Sequence, residues 1–543
     1  MELINNSQFN IGYICSKLQC LSGRADKTAF KFITNKFAEF EFSFNDLEIN
    51  TNKFANLLKK IGIVKGDIIF TLLTKSPEQF FSFIGSLKLQ AIIGTLFSNF
   101  GEDALYDRLS DSRAKVLITK KSLLKKILKI HHNLPELKFI IVTDIEEDIS
   151  ENILSYGKLM SQVSEKFEVE VTHPDTPSVI HYTSGSTGKP KGVLHAHRSI
   201  LTQQMTSREI LKLNQDEKYW CTADQGWVTG TSYGIIGPWS LGVTQIHFEG
   251  AFNAASYLKL LEKEKVTIWY TAPTLLRMLM LSDEDFYARY DLSSLKHIFS
   301  VGEPLNPKVI DWSRSVLNKE IYDTWFQTET GAIMIANRPE MPVKPGSMGK
   351  AALPEIKPAI LSKGNNCLEP PNNVGNLCIE KGWSSMFLTY LNNAGTYDGK
   401  FINGYYYTGD EAKMDADGYF WFIGRSDDVI NTAGHLISPF EIESAMLEVP
   451  EVLEAAAVAV PDEILFEAIV VFAKVKEDVG DVEELKLKIR LFLSNRLSTV
   501  ATPKDVVIIE SIPKNKSGKI MRRVLKAGYL GTTAGDTSTI EDF

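Results

Sequence analysis

Short apolar runs rich in β-branched residues alternate with amphipathic helical stretches over most of this 543-residue chain, and that alternation restricts its fold more than any other feature. Ser43 and Asp46 read as a capping box opening a helix with apolar positions at Leu47, Phe54, Leu57, Leu58 and Ile61, and with Gly62 as its stop. "DIIFTLL" then reads as a buried strand, "SPEQFFSFIGSLKLQ" as a helix and "AIIGTLF" as another strand. The rhythm returns in "VTIWYTAP", "LKHIFSVGEP" and "EIYDTWFQTE". Such alternation calls for an α/β fold, with parallel and mixed sheets covered by helices. A chain this long exceeds a single core, so two or more domains are expected.

Near Arg425 the pattern changes. "GRSDDVINTAGHLIS" is polar and turn-rich. Beyond it Ser438, Pro439 and Glu441 supply the N-cap, first position and capping-box partner of a helix, "PFEIESAMLEV". Two apolar strands ("VLEAAAVAV", "AIVVFAKV"), a helix capped by Asp481 with Glu484, and the strand "DVVIIESI" complete a small α+β unit. The expected division is a large N-terminal domain over 1–426, a small C-terminal domain over 427–530 and a polar tail over 531–543.

Hydrophobic residues make up 44% and charged residues 23%, values of a soluble globular protein. The net charge is −8, and the lysines of "KKSLLKKILK" read as a solvated helix face, which argues against nucleic acid as a partner. The five cysteines (Cys15, Cys20, Cys221, Cys367, Cys378) lack zinc-type spacing, and their odd number fits free thiols in a reducing cytosol. The first residues, "MELINNSQFN", have neither the basic nor the apolar region of a signal peptide. No apolar run reaches the roughly 18 residues that a bilayer requires. A cytoplasmic location without a membrane partner is expected.

"HYTSGSTGKPKGVLHAH" (181–197) is the densest chemical signal. Gly185 and Gly188 let backbone N–H groups approach an anion, Thr183, Ser184, Ser186 and Thr187 add hydroxyl donors, and Lys189 and Lys191 add charge. The kinase-type loop fails, because the glycines are too close and Pro190 follows the lysine. On these residues alone, a polyphosphate loop and a flexible connector both remain open. His195 and His197 lack cysteine or carboxylate partners, so they read as surface or supporting residues and not as metal ligands.

"YTSGSTGKPKG" resembles the signature of the adenylate-forming superfamily of acyl-CoA synthetases, luciferases and peptide-synthetase adenylation domains. "YDTWFQTETG", "YYTGD", "GYFWFIGRSDDVI" and "PKNKSGKIMRR" resemble its later signatures in the same order. The resemblance implies a reaction in two halves. A carboxylate attacks the α-phosphate of ATP to give an acyl-adenylate and pyrophosphate; a thiol, usually of coenzyme A, then displaces AMP. It further implies that the 183–189 loop holds phosphates and that Lys519 is the catalytic cation of adenylation. Glu329 is implied as the Mg²⁺ ligand, with Thr328 reaching the α-phosphate. Asp410 would accept the ribose hydroxyls with Arg425 in support. Gly302, Glu303 and Pro304 would line the adenine, with Asp323 and Thr324 as its other wall, and Asp427 would be the hinge of the small domain.

"WCTADQGWVTGTSYGIIGPW" (220–239) and "NTAGH" (431–435) are similar to the acetyl-CoA synthetase branch. By that similarity Val228, Thr229, Val301 and Phe326 line the acyl pocket. Phe326 stands where a tryptophan often closes the pocket behind acetate, which implies acetate and propionate as substrates, butyrate as a poorer one, and no long fatty acids. One methylene is worth only about 1–3 kcal/mol, so neighbouring acids are separated weakly. Leu436 stands where the family commonly has an arginine expected to meet phosphates. Two other readings follow: transfer of the acyl group to a carrier-protein thiol, and a nucleotide-binding regulator without turnover. In related bacterial enzymes acetylation of the matching lysine stops adenylation, which makes an acetyltransferase and a deacetylase acting on Lys519 expected partners.

Overall fold

A computed structural model of the chain describes residues 8–183, 190–282, 284–364, 366–432, 435–462, 465–477, 479–514 and 519–534, with the side chains of Glu284 and Leu436 outside that set. The described residues form four sheets. The largest runs, edge to edge, through Lys350–Ala351, Ile335–Ala336, Ile321–Trp325, His297–Val301, Ile268–Thr271, Lys218–Cys221, Thr244–Phe248, Thr28–Ile33 and Glu39–Ser43. Its interior pairs are parallel and its edges antiparallel. A second sheet has Ile68–Leu72 between Ile92–Leu96 and Val116–Thr119, all parallel; on one side it continues through the antiparallel pair Pro177–Thr183 and Lys191–Ala196 to an edge at Thr389–Tyr390. The glycine-rich loop 184–189 joins those two strands, and it lies outside the described residues.

A third sheet is antiparallel throughout, built on Pro358–Leu361, Gly375–Glu380 and Tyr405–Met414, with Phe420–Arg425 paired to the last of these. The alternating pattern gave little sign of it, because its strands are separated by Asn- and Gly-rich loops and one short helix, Ala394–Asp398. The fourth sheet begins at Ile430 and centres on the long hairpin Val452–Asp462 and Phe466–Val475. Two expected elements are shorter than the apolar run suggests. The helix from Pro439 ends at Met446, three residues before Val449, because Pro450 drives the residue ahead of it out of the helical region. The last strand spans Asp505–Ile508 and ends at the Ala473–Ile508 pair.

The helix Pro77–Lys88 lies between the two large sheets and is buried from Gln79 to Lys88, with Lys88 as the one charged group of that stretch. It crosses the helix Phe44–Lys60 so closely that a Cβ on Gly85 would lie 2.8 Å from the Thr51 carbonyl oxygen. The expected capping box opens that second helix: Asp46 N donates to Ser43 Oγ, and Ser43 N to Asp46 Oδ2 at 2.8 Å. The Lys88 ammonium sits 2.6 Å from Glu48 Oε2 and 2.7 Å from Asn52 Oδ1. Ser16 Oγ and Asn52 Nδ2 complete the shell of the carboxylate. Burial lowers the Lys88 pKa, against the pull of Glu48.

Removing one partner of a buried pair leaves the other charge uncompensated. Lys88→Met is therefore expected to lose about 3–5 kcal/mol of stability, read as a fall in the urea midpoint. The double variant Lys88→Met/Glu48→Leu should recover most of that loss. A single variant as stable as the parent would mean that the pair is not desolvated.

Candidate active site

The strands His297–Val301 and Ile321–Trp325 run side by side with Val301 opposite Thr324, and both chains leave the sheet at their carboxyl ends, the usual place for a ligand in an α/β sheet. Strand alternation turns Trp325 and Phe326 in opposite directions. The indole Nε1 of Trp325 donates to Asp410 Oδ2 at 3.2 Å. Phe326 packs edge-on against Tyr233, with ring centroids 5.4 Å apart. Gln327 Nε2 donates to the same Asp410 oxygen at 3.0 Å, and its Oε1 accepts from Tyr406 OH. Arg425 stands directly opposite Asp410 in the antiparallel register, and its Nη1 donates to Asp410 Oδ1 at 2.7 Å. Burial opposes the Arg425 charge, but Asp410 and then Asp427 outweigh it and raise its pKa.

The turn after Gln327 carries Thr328 and Glu329, both half-buried. Tyr390 OH donates to Glu329 Oε1 at 2.8 Å. Burial, then Glu329, raises the Tyr390 pKa, so the phenol keeps its proton. Glu329 Oε2 takes no hydrogen bond from a described residue. Among the described residues no three His, Cys, Asp or Glu side chains form a metal cage. One carboxylate with an open oxygen suits Mg²⁺, which keeps most of its shell for phosphates and water. The ammonium of Lys191 lies 5.7 Å from the Tyr390 ring centroid, at the foot of the glycine-rich loop. Lys519 is an exposed residue within electrostatic reach of Arg425, Asp428 and Asp410. Burial and then Arg425 lower its pKa, with Asp428 and Asp410 opposing; the exposure of the side chain keeps that desolvation partial.

The other anticipated residues divide into two groups. Gly302, with φ of +94°, begins the loop after Val301. Glu303 Oε2 accepts from Arg277 at 2.6 Å and Oε1 from Thr274, while Pro304 beside it is half-buried. Asp323 turns into the sheet and accepts from Ser300 Oγ at 2.5 Å; burial pushes its carboxyl up to about 8. Thr324 Oγ1 donates to the Ser300 carbonyl and pairs with Tyr270 OH. Val301 and Tyr233 share one buried cluster with Phe326 against it, and Val228 and Thr229 open the short helix leading to Tyr233. Asp427 is exposed, with a carboxylate oxygen 3.8 Å from Arg425 Nε. Thr183 ends its strand opposite Lys191. Ser184, Gly185, Ser186, Thr187, Gly188 and Lys189 lie outside the described residues, as does the Leu436 side chain.

The surface reading of the two histidines is overturned, because both are buried. His197 Nδ1 accepts from Ile11 N at 3.0 Å, which ties down the N-terminal segment. His195 Nε2 meets the Thr328 carbonyl at 2.8 Å. Sequence reasoning also missed Gln327 and Tyr390 as partners of Asp410 and Glu329. Gln327 lies inside a quoted motif, whereas Tyr390 reaches Glu329 from 61 residues away and left no local signal.

Two family models match this chain: "AMP-binding enzyme" over residues 19–391 and "AMP-binding enzyme C-terminal domain" over residues 441–519. The chain belongs to the AMP-binding enzyme family. It is 43% identical to the acetyl-coenzyme A synthetase of Bacillus subtilis (strain 168), over 97% of this chain and 93% of that protein. The anthranilate CoA ligase AuaEII, solved with anthranoyl-AMP, superposes with a TM-score of 0.87 at 29% identity, covering 96% of this chain and 97% of that one. An acyl-CoA synthetase of Brucella canis gives 0.75 at 30% identity, with 97% and 96% covered. The chain is an AMP-forming acid–thiol ligase that uses ATP.

Burial holds His195 neutral, with its pKa lowered to about 4, and His181, His197 and His247 lowered to about 3. The unfolded chain, with imidazoles near 6.5, binds more protons between those limits, so stability falls as pH drops below 6.5. Each of the four should remove about 2 kcal/mol by pH 5. Urea midpoints measured from pH 8 to pH 5 should decline accordingly, and a flat profile would show that these rings are not buried neutral.

Proposed function

We propose that this chain is a short-chain acyl-CoA synthetase, converting acetate or propionate, ATP and coenzyme A to acyl-CoA, AMP and pyrophosphate through an acyl-adenylate. The observation that carries the reading is the convergence of Asp410, Arg425, Gln327, Glu329 and Lys519 at the carboxyl ends of the parallel strands. Asp410, already held from three sides, has the geometry to accept both ribose hydroxyls, and Arg425 fixes its orientation. Gly302, Glu303 and Pro304 line the adenine opposite the Asp323–Thr324 edge, with Glu303 pinned by Arg277. The 183–189 loop, Thr328 and Lys519 hold the phosphates. Glu329 holds Mg²⁺, whose charge offsets that of the phosphate oxygens.

In the first half-reaction the acid's oxygen attacks the α-phosphorus and pyrophosphate leaves. Negative charge grows on oxygens facing Lys519, and a cation about 4 Å away gains roughly 4 kcal/mol at an effective dielectric near 20. Rotation about Asp427 then withdraws Lys519 and admits the coenzyme A sulfur, which attacks the acyl carbon and expels AMP. Phe326 supported by Tyr233 closes the acyl pocket, and Val228, Thr229 and Val301 form its sides. Acetylation of Lys519 by an acetyltransferase would remove the charge that adenylation needs, and a deacetylase would restore it. All five cysteines are free thiols, three of them buried, which supports a reducing, cytoplasmic location. Among the described residues no helix is long and apolar enough to cross a membrane.

Pyrophosphate release from Mg-ATP with acetate, propionate, butyrate and octanoate, with and without coenzyme A, tests the reading. Sustained release is expected with acetate and propionate only when coenzyme A is present, with butyrate slower and octanoate inert. A single turnover that coenzyme A fails to extend would point to a carrier-protein thiol, and no release with any acid would refute the ligase reading. Phe326→Gly should shift the preference towards longer acids; an unchanged profile would put the end of the pocket elsewhere. Lys519→Gln should slow acyl-adenylate formation by at least about 100-fold, measured by pyrophosphate–ATP exchange, and normal exchange would remove Lys519 from catalysis.

A further inference from the structure

The turn Thr328–Gly331 directs all four of its carbonyl oxygens inward, and each meets a donor from a different part of the chain. Thr328 O faces His195 Nε2 at 2.8 Å. Glu329 O accepts from Phe387 N at 3.1 Å. Thr330 O accepts from Trp383 Nε1 at 2.9 Å and from Ser385 Oγ at 2.6 Å. Gly331 O accepts from Gln203 Nε2 at 3.1 Å and from Ser232 Oγ at 2.9 Å. A buried carbonyl without a donor is costly, so these contacts determine which way the peptide planes face. With the carbonyls spent inward, the side chains of Thr328 and Glu329 are left to face the cleft.

His195 has the most exacting place in this set. Its ring is 3% exposed. It lies so close to Gly331 that a Cβ there would be 2.8 Å from its Cε1, and Gly331 holds φ of +70°. Because its partner is a carbonyl, Nε2 must carry the proton, which fixes the tautomer of the neutral ring. The Ser385 backbone also lies against the ring and, like the Thr328 carbonyl, favours its protonated form against the effect of burial. The ring also borders a small cavity lined by Ser199, Gln203 and Val228.

We infer that His195 is a positioning residue for adenylation: through the Thr328 carbonyl it holds the Thr328–Glu329 turn in the orientation that presents Glu329 to Mg-ATP. The inference rests on the ligase reading above. It separates the two half-reactions, because only the first uses Mg-ATP. Misplacing such a turn by an ångström costs on the order of 100-fold, and loss of a residue that orients a metal ligand typically costs about 10–100-fold.

The test compares His195→Leu, which keeps the bulk and loses the donor, with His195→Gln, whose amide can reach the same carbonyl. Each is assayed by pyrophosphate–ATP exchange over a range of Mg-ATP concentrations. Each is also assayed for acyl-CoA formation from supplied acetyl-adenylate and coenzyme A. His195→Leu is expected to raise the KM for Mg-ATP and slow exchange by about 10–100-fold, with thioester formation within about twofold of the parent. His195→Gln should recover most of the exchange. Unchanged exchange in His195→Leu, or equal losses in both half-reactions, would overturn the inference. If His195→Leu does not fold, His195→Met, which also removes the donor to the Thr328 carbonyl, should show the same split, and its absence would overturn the inference. An inactive parent enzyme would refute the ligase reading itself, whatever the variants do.

Discussion

The Asp410–Arg425 pair fixes the centre of this molecule. Its two members face each other across a pair of antiparallel strands, and the strand carrying Arg425 is the last before the fourth sheet begins. The carboxylate is also the meeting point for Trp325 and Gln327 from the largest sheet. One buried anion therefore joins the third sheet to the end of a parallel strand in the first. The guanidinium also lies beside Asp427 and within electrostatic reach of Lys519. A change in its charge environment is therefore felt by groups on both sides of Arg425 in the sequence.

Around that point the backbone carbonyls of the Thr328–Gly331 turn are all assigned. The turn that carries Glu329 is supported by side chains from residues 195, 203, 232, 383 and 385, elements far apart in sequence. Such support is rigid because every donor is itself buried in a packed layer. The cost of ordering those side chains is met during folding, so the site is already organised before a nucleotide arrives. The buried Lys88–Glu48 pair serves a different purpose, locking two crossing helices far from the cleft.

The sequence made the periodic parts of the fold readable. The capping box at Ser43, the buried faces of the first helices and the run of parallel strands all follow from local pattern, and local pattern is what those elements are built from. The antiparallel third sheet was harder to read for a physical reason: its central pair, Gly375–Glu380 with Tyr405–Met414, closes over a long stretch that itself includes the short helix Ala394–Asp398, so no short window contains both partners. The motifs marked Asp410, Arg425 and Glu329 because each lies inside a short run of distinctive residues, two on paired strands and one in a turn. The residues that hold them in place come from distant elements, and nothing near Tyr390 or His195 announces the partner. Trp325 and Phe326 show the limit most clearly: adjacent in the chain, they face opposite sides, one towards the Asp410 carboxylate and one towards Tyr233.

The distribution of the five thiols gives this chain an internal gauge of its own integrity. Cys15, Cys221 and Cys378 are buried, and burial raises their pKa values, so neither access nor ionisation favours a reagent. Cys20 is intermediate, and Cys367 alone is exposed. The rate at which the buried sulfurs become modified is then a clock for opening, core by core. Cys15 reports on the layer between the two large sheets, Cys221 on the cluster that includes Tyr233 and Leu377, and Cys378 on the third sheet, where it stands opposite Ala359. An alkylating reagent and a mass spectrometer would thus resolve which part of the molecule yields first, with no label added to the protein.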